Sequence, residues 1–542
     1  MNTEFFRILR NGLAGELACL TVGEAMEHFR NHQASFHLDR AVVVCYLNHF
    51  LAEHEKCADP GLWQLIERLI TKCLHLSPFD VINISTPSVL GNPAFQAKIR
   101  TLHENNFAPA ELARIDQIDF LRDSARAREA LLGLLATHPT YALAAGRLLV
   151  ADFLERKASP DWLHAFTCPE PLKGDFGGML FNHYAAMGNV EAAEALWESL
   201  SPADINEVHL NHAAELARMR GDAKGAVAFY EKSLALDGDQ APVRFRLAEL
   251  QRPSVKRPEL VAQKKVAIYL YSFNKAKLLG ETLTCLAATD IGRASVTVLL
   301  NGCSDDSLAV VESARELFPD NAFTILPLPV NIGAPAARNW LTNLPSTWEN
   351  DYVAFLDDDV EMPRDWLQWY LSIAEADPRI GVVGCKIVYP GQPAKLQYLY
   401  RYVSIAKNDL LRLSLSVAHH QYDNGFYDCI RETRSVMGCL HLFRTEALRR
   451  VPNFDIRFSP SQMDDIDHDL CLCLEGFRVM YCGLVTCIHH QSSGLAARTE
   501  VRNPAMVGNC LGNDVKIFYK HLSRMSELRG LDSLSLLPAD FT

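Results

Sequence analysis

Two periodicities divide the chain. Through residue 250, apolar positions recur every three to four residues and candidate strands are few, which predicts an all-α region over 1–250. From Val266 the pattern changes to short apolar, β-rich runs: "VAIYLYSF", "SVTVLL", "FTILPLP" and "YVAFL". Helix-period segments such as "SLAVVESARELF" lie between most of them. Strands alternating with helices predict an α/β domain with a mainly parallel, Rossmann-like sheet over 266–525. Between the two regimes, "LQRPSVKRPELVAQKK" carries two prolines and a basic cluster, so 251–265 reads as a linker. Residues 526–542 are expected to form a C-terminal tail.

A weak repeat lies within 180–250 of the helical half. "HYAAMGNVEAAEALWESL" and "ELARMRGDAKGAVAFYEKSL" superpose Gly188 on Gly221, Ala193 on Ala226 and Trp197 on Tyr230, a shift of 33 residues. Small residues where helices cross, an aromatic one turn later, and a Gly-Asn or Gly-Asp turn describe a helical hairpin. The pattern resembles tetratricopeptide repeats, which implies a concave surface for a protein partner or acceptor. A helical cap that stabilises the second domain is the other reading of the same residues.

Bulk properties narrow the classes. A chain of 542 residues is long for one core, and 49% hydrophobic with 22% charged residues is ordinary for a globular protein. A formal charge of −12 leaves no basic surplus to neutralise phosphates, which argues against a general nucleic-acid binder. The N-terminal stretch is interrupted by Glu4, Arg7, Arg10 and Glu16, and no apolar run is long enough to span a bilayer. The 15 cysteines contain no CxxC pair, which favours reduced thiols and a cytoplasmic setting. Cys303, Cys385, Cys471 and Cys473 read as small buried hydrophobes.

In a parallel α/β sheet ligands bind beyond the carboxyl ends of the strands, so the loops there matter most. The first strand leads into "YSFNK" with Tyr271, Ser272 and Asn274, and the second into "NGCSDD" with Asn301 and Asp305. "NIGAPAARN" follows the third and carries Arg338 into a helix. The fourth runs straight into Asp357, Asp358 and Asp359. Three like charges at the end of an apolar strand repel one another, so a cation is expected among them. Aromatic and amide groups suit a base, arginine a phosphate, and carboxylates a divalent metal. The set would accommodate a nucleoside diphosphate with Mg²⁺ or Mn²⁺. Alternation along a strand puts Asp357 and Asp359 on one face. Asp305 contacts a base or closes an Asx turn. Arg338 contacts phosphate or pairs with the acidic site.

A helical wheel of "SQMDDIDHDLCLCLEGF" gathers Met463, Ile466, Leu470 and Leu474 into a packing stripe. Asp465 falls on the opposite face and Asp467 near the edge of the stripe. The helix dipole by itself accounts for part of an acidic first turn.

With these pieces in this order, the region from about Val266 to His521 resembles a family 2 glycosyltransferase of GT-A fold. "FLDDDVEMP" stands where that family has its DxD element. "GCLHLFRTEALRRVPNFDIRF" is similar to its turn toward the acceptor, and "VTCIHH" to its strand ending in histidine. The resemblance implies inverting transfer of a sugar from a UDP- or other nucleotide-sugar to a protein or glycan hydroxyl, with Mn²⁺ or Mg²⁺. It implies Asp359 and His489 as metal ligands, with His490 as the alternative histidine. Asp357 and Asp358 would lie on the nucleotide side, with Tyr271, Ser272, Asn274, Asn301, Asp305 and Arg338. Asp465 matches the general base, and Asp464 inherits that role if the register slips by one. A nucleotidyltransferase and a helical adaptor with an inactive transferase domain are the competing readings. The segment "KLQYLYRYVSIAKNDLLRLSLSVAHHQYDNGFYD", with His419 and His420, is expected to shape the acceptor site or fold as a lid.

Overall fold

The computed structural model describes residues 12–54, 60–79, 93–118, 123–406, 412–416, 421–490, 504–532 and 534–538. His419 and His420 lie outside the described residues. The chain divides into two compact units. The first comprises Met1–Phe29, His37–Val243 and Tyr422–Phe426, and the second Arg30–Phe36, Arg244–Gln421 and Tyr427–Thr542.

The described elements of the first unit are helical. One core gathers Val43, Tyr46, Phe50, Ile66 and Ile70 from the helices Arg40–His54 and Pro60–Leu76. A second surrounds the helix Ala142–Leu154, which is buried on nearly every face, consistent with its run of alanine and leucine. The 33-residue spacing corresponds to two successive helical hairpins. The first is α1 (Lys173–Ala186) with α2 (Val190–Ser199), and the second α3 (Glu207–Met219) with α4 (Ala223–Leu236). Gly188 and Gly221 sit at the turns with φ of 71° and 82°, a left-handed conformation that glycine adopts without a Cβ clash. Asn189 and Asp222 then cap α2 and α4, accepting from the N–H groups of Ala192 and Gly225. Ala193 and Ala226 are fully buried. Tyr230 is buried too, its hydroxyl donating to Glu215 at 2.6 Å.

The second unit is built on a ten-stranded mixed sheet. Its strands are β1 (Val266–Ser272), β2 (Ser295–Asn301), β3 (Phe323–Leu328), β4 (Tyr352–Leu356), β5 (Val360–Glu361), β6 (Ile380–Tyr389) and β7 (Lys395–Tyr398). After the small separate hairpin β8 (Tyr402–Ala406) and β9 (Arg412–Ser416) come β10 (Ile430–Thr433), β11 (Leu440–Arg444) and β12 (Arg478–His489). The order is β10-β12-β6-β11-β4-β1-β2-β3, with β5 on β12 and β7 on β6. Parallel pairing joins β3, β2, β1 and β4, with Ile268 of β1 beside Val296 on one side and Ala354 on the other. Ser272, Asn301, Leu328 and Leu356 therefore close one edge of the sheet.

Beyond β4 the strands are no longer all parallel, and β11 inserts antiparallel to both β4 and β6. The sheet is thus parallel in its first half and mixed in its second. "FRVMYCG" and "VTCIHH" belong to one strand, β12, whose register on β6 shifts between Cys482 and Thr486. The helices that matter below are α5 (Ala276–Ala287), α6 (Ala334–Thr342), α7 (Asp464–Leu474) and α8 (Pro504–His521). The core packs Ile268, Leu270, Val298, Ala354 and Leu442 of the sheet against Leu279, Leu283 and Trp366.

Leu260, inside the expected linker, is fully buried in that core. Leu528, beyond the expected end of the domain at 525, is buried with Ile466 and Leu470 of α7, the stripe read from the sequence. Among the described residues no helix is long and apolar enough to cross a membrane, and the described cysteines are free.

Candidate active site

The carboxyl edge of β4 delivers Asp357, Asp358 and Asp359 in succession, and β5 then turns away to pair with the end of β12. That pairing sets His489 beside Val360 and lets the His490 N–H donate to the Asp359 carbonyl at 2.8 Å. Asp359 Oδ1 lies 3.0 Å from His489 Nε2, and Asp357 Oδ2 lies 3.9 Å from the same nitrogen. Donor atoms of Asp357, Asp359 and His489 all fall within 4.8 Å of one another. His490 points elsewhere, its Nε2 at 2.5 Å from Glu361.

The rest of each carboxylate is already engaged. Tyr271 donates its hydroxyl to Asp357 Oδ1 at 2.8 Å, and Ser272 to Asp358 Oδ2 at 2.6 Å. Lys275 bridges Asp358 Oδ1 at 3.0 Å and Asp359 Oδ2 at 2.8 Å. The lysine was not singled out from the sequence. Burial pushes the Asp357 and Asp358 carboxyls up, against the pull of Arg338 on the first and Lys275 on the second. Burial works the same way on Asp359, but His489 and Lys275 outweigh it and hold that carboxyl at about 2.

Three observations fit a divalent cation beside these side chains. Asp359 Oδ1 is buried and has no hydrogen-bond partner, although His489 Nε2 is within ion-pair distance. His489 Nδ1 faces the Gln397 side-chain oxygen at 3.1 Å. With Nδ1 engaged by that oxygen, Nε2 is the ring nitrogen turned toward Asp359 and within reach of a metal. Finally, two carboxylates and an imidazole suit Mn²⁺, and carboxylates suit Mg²⁺. A second group, Asp467, Cys471 and His521, has comparable spacing. There Asp467 is already paired with Lys520 and with His521.

A second acidic centre faces the first. α7 begins after Gln462 and Met463, both at positive φ, and opens on Asp464 and Asp465. Asp464 is buried and paired with Arg338 Nη1. Burial pushes its carboxyl up to about 6 despite that guanidinium. Asp465 is less buried, accepting from the Gly438 N–H at 2.9 Å through Oδ2 and from the Ile466 N–H at 2.9 Å through Oδ1. Gly438 leaves room for Arg338 and Asp465: a Cβ there would meet Arg338 Nη2 at 2.6 Å and the Asp465 Cβ at 3.1 Å. Asp467 is buried against Lys520 and His521, away from this face.

Arg338 ties the two centres together. Its guanidinium also donates to the Gly438 carbonyl at 3.2 Å, lies 3.9 Å from Asp357, and stands 5.2 Å from the Tyr271 ring centroid. Of the two sequence readings of Arg338, the structure supplies the ion pair. The remaining predicted contacts close loops. Asn301 is buried, clasping Asn331 Oδ1 and the Ile332 N–H. Asn274, at φ 52°, accepts from the Ser304 N–H at 2.7 Å. Asp305 accepts from the Ala276 N–H at 2.9 Å and from Ser307, the Asx-turn alternative. Tyr271, Ser272, Asp357, Asp358, Asp359 and His489 come together, whereas Asn274, Asn301 and Asp305 brace the loops beside them.

Residues 263–505 match the family model described as Glycosyltransferase like family 2. The match covers the mixed-sheet part of the chain, which follows the helical region. The chain is 27% identical over 165 residues to the O-antigen biosynthesis protein RfbC of Myxococcus xanthus. That match spans 30% of this chain and 12% of the relative. Among solved structures it is similar to the mannosyltransferase PcManGT from Pyrobaculum calidifontis in complex with GDP-Man and Mn²⁺. There the identity is 17%, the coverage 61% of this chain and 93% of that one, and the TM-score 0.34. It is also similar to residues 1–349 of S. aureus TarS in complex with UDP. That likeness is 17% identical over 41% of this chain and 60% of the other, with a TM-score of 0.29.

Proposed function

We propose that the C-terminal domain transfers a sugar, with inversion, from a nucleoside-diphosphate sugar to a hydroxyl of a protein or glycan acceptor, using Mn²⁺ or Mg²⁺. The observation that carries this reading is the pair of facing carboxylate centres at the carboxyl edge of the sheet. One contains a buried Asp359 oxygen without a hydrogen bond beside His489, and the other the half-buried Asp465. Asp357, Asp359 and His489 would hold the cation, which supplies positive charge to the departing diphosphate. Asp357, Asp358, Tyr271 and Ser272 are assigned to the nucleotide side of the donor, and Asn274, Asn301 and Asp305 brace the loops beside them.

Asp465 is assigned the base. It takes the acceptor hydroxyl proton as that oxygen bonds to the anomeric carbon and the bond from that carbon to the diphosphate oxygen breaks. The diphosphate leaves with the bonding electrons. Asp464 is a poorer candidate, because both Arg338 and burial keep it from an acceptor. The helical hairpins of the first unit are assigned, as tetratricopeptide-like repeats, to holding a macromolecular acceptor. The absence of a membrane-length helix among the described residues is compatible with work in the cytoplasm.

Thermal-shift measurements on the full chain test this reading. UDP, GDP and the other nucleoside diphosphates are added with and without MnCl₂. One diphosphate should raise the melting temperature, mostly in the presence of metal, because a ligand that binds only the folded state stabilises it by mass action. No response to any diphosphate with Mn²⁺ would overturn the proposal.

A further inference from the structure

Lys275 divides the two oxygens of Asp359 between different jobs. Its ammonium sits 2.8 Å from Oδ2 and 3.0 Å from Asp358 Oδ1, so one cation serves both carboxylates. The other oxygen, Oδ1, is the one left buried without a hydrogen bond and turned to His489 Nε2. Asp358 has its second oxygen on the Ser272 hydroxyl. The lysine stands directly before α5, at its N-cap, and reaches the acidic triplet from the loop that follows the neighbouring strand β1, a position set by the parallel β1–β4 pairing.

Resting on the metal reading above, we propose that Lys275 is a positioning residue that makes Asp359 a one-oxygen metal ligand and thereby sets the choice of cation. An ammonium on one carboxylate oxygen takes one of its lone pairs and fixes the rotation of the group, which disfavours turning both oxygens to the same ion. Ca²⁺ is large, takes six to eight oxygens and readily accepts bidentate carboxylates, whereas small octahedral ions need fewer and more regular donors. With Oδ2 occupied, the donors offered are Asp357 Oδ2, Asp359 Oδ1 and His489 Nε2, a small set containing a nitrogen. Such a set suits Mn²⁺ over Ca²⁺. Plain charge compensation, the other role open to a lysine among three aspartates, carries no such consequence for cation choice.

The test is a titration of the full chain with MnCl₂ alone and with CaCl₂ alone, by calorimetry, for wild type and Lys275→Met. Wild type should prefer Mn²⁺. In Lys275→Met the carboxylate is free to rotate and present both oxygens, so the preference should narrow about tenfold, chiefly through tighter Ca²⁺ binding. A folded Lys275→Met variant with an unchanged ratio of affinities overturns the proposal and leaves lysine as a structural counter-charge. If that variant does not fold, Lys275→Gln replaces the ammonium by a shorter neutral group and the same ratio decides. Failure of the wild type to bind either ion is a different result: it removes the metal reading itself.

Discussion

Replacing Arg338 by methionine keeps much of the stem volume and removes the only described cation that contacts Asp464. Asp464 is 2% exposed, and Arg338 itself 4%. Breaking a buried pair by removing one partner costs about 3–5 kcal/mol, because the remaining charge has no water. Asp464 has an escape: its carboxyl is already raised by burial, and without the guanidinium it rises further and takes up a proton. An acid whose folded-state pKa lies above its unfolded value binds more protons when folded, so stability falls as pH rises through that interval. The loss in Arg338→Met should therefore be near its full size at pH 8 and smaller at pH 6. The difference is up to about 1.4 kcal/mol per pH unit for one proton. Adding Asp464→Asn should recover much of the loss at pH 8, since it removes the stranded charge. Denaturant unfolding of wild type, the single variant and the double variant at both pH values measures this. A penalty of equal size at pH 6 and pH 8, or a double variant no better than Arg338→Met, would refute the reasoning.

The other expected outcomes are simpler. Gly438→Ala forces a Cβ to within 2.6 Å of Arg338 Nη2 and should cost about 1–3 kcal/mol as an overpacked site, read as a lower melting temperature. Ala226→Leu puts a large side chain where a fully buried alanine joins α3 and α4. It should destabilise the first unit by about 1–3 kcal/mol, seen as a shift in its unfolding transition by calorimetry. A chain beginning at Arg244 keeps Leu260 in the core of the second unit but drops its Arg30–Phe36 segment; provided it folds, it should bind the nucleoside diphosphate and lose transfer to a macromolecular acceptor. If that shortened chain glycosylates as fast as the whole, the hairpins have no part in acceptor binding.

The strands that build the front of the site were legible because each parallel strand is a short, mostly apolar, β-rich run followed by a polar or turn-rich loop. β4 needed only "YVAFL" and the acids behind it. The second half was less so. β6, β11 and β12 mix directions, and direction leaves no periodic trace in a single strand. The pairing of β5 with β12 is a long-range fact, yet it settles which histidine meets Asp359. Lys275 was missed because a lysine at the start of an amphipathic helix reads as solvated. The available signal was the triplet itself, since three carboxylates in a row ask for a cation that the chain can supply in part. Gln397, which orients His489, has no local signature at all. Asp305 carried an Asx-turn reading in the sequence, and the hydrogen bonds of such a turn are present, whereas nothing local announced that Asn301 would clasp Asn331 and Ile332. Arg338 left two roles open, and its pairing with Asp464 depends on the position of α7, which no local pattern gives.

The central claim is that two carboxylates of one site do different work, Asp359 holding the cation and Asp465 taking the proton. Donor hydrolysis, with water in place of the acceptor, measures both without knowledge of the natural acceptor. Wild type, Asp359→Asn and Asp465→Asn are compared for diphosphate affinity with Mn²⁺ and for release of diphosphate from its sugar conjugate. In Asp359→Asn, affinity and turnover should fall together. In Asp465→Asn, affinity should hold while turnover drops by about 10²–10⁴. Near-normal turnover in Asp465→Asn, or full metal-dependent affinity in Asp359→Asn, would contradict the account.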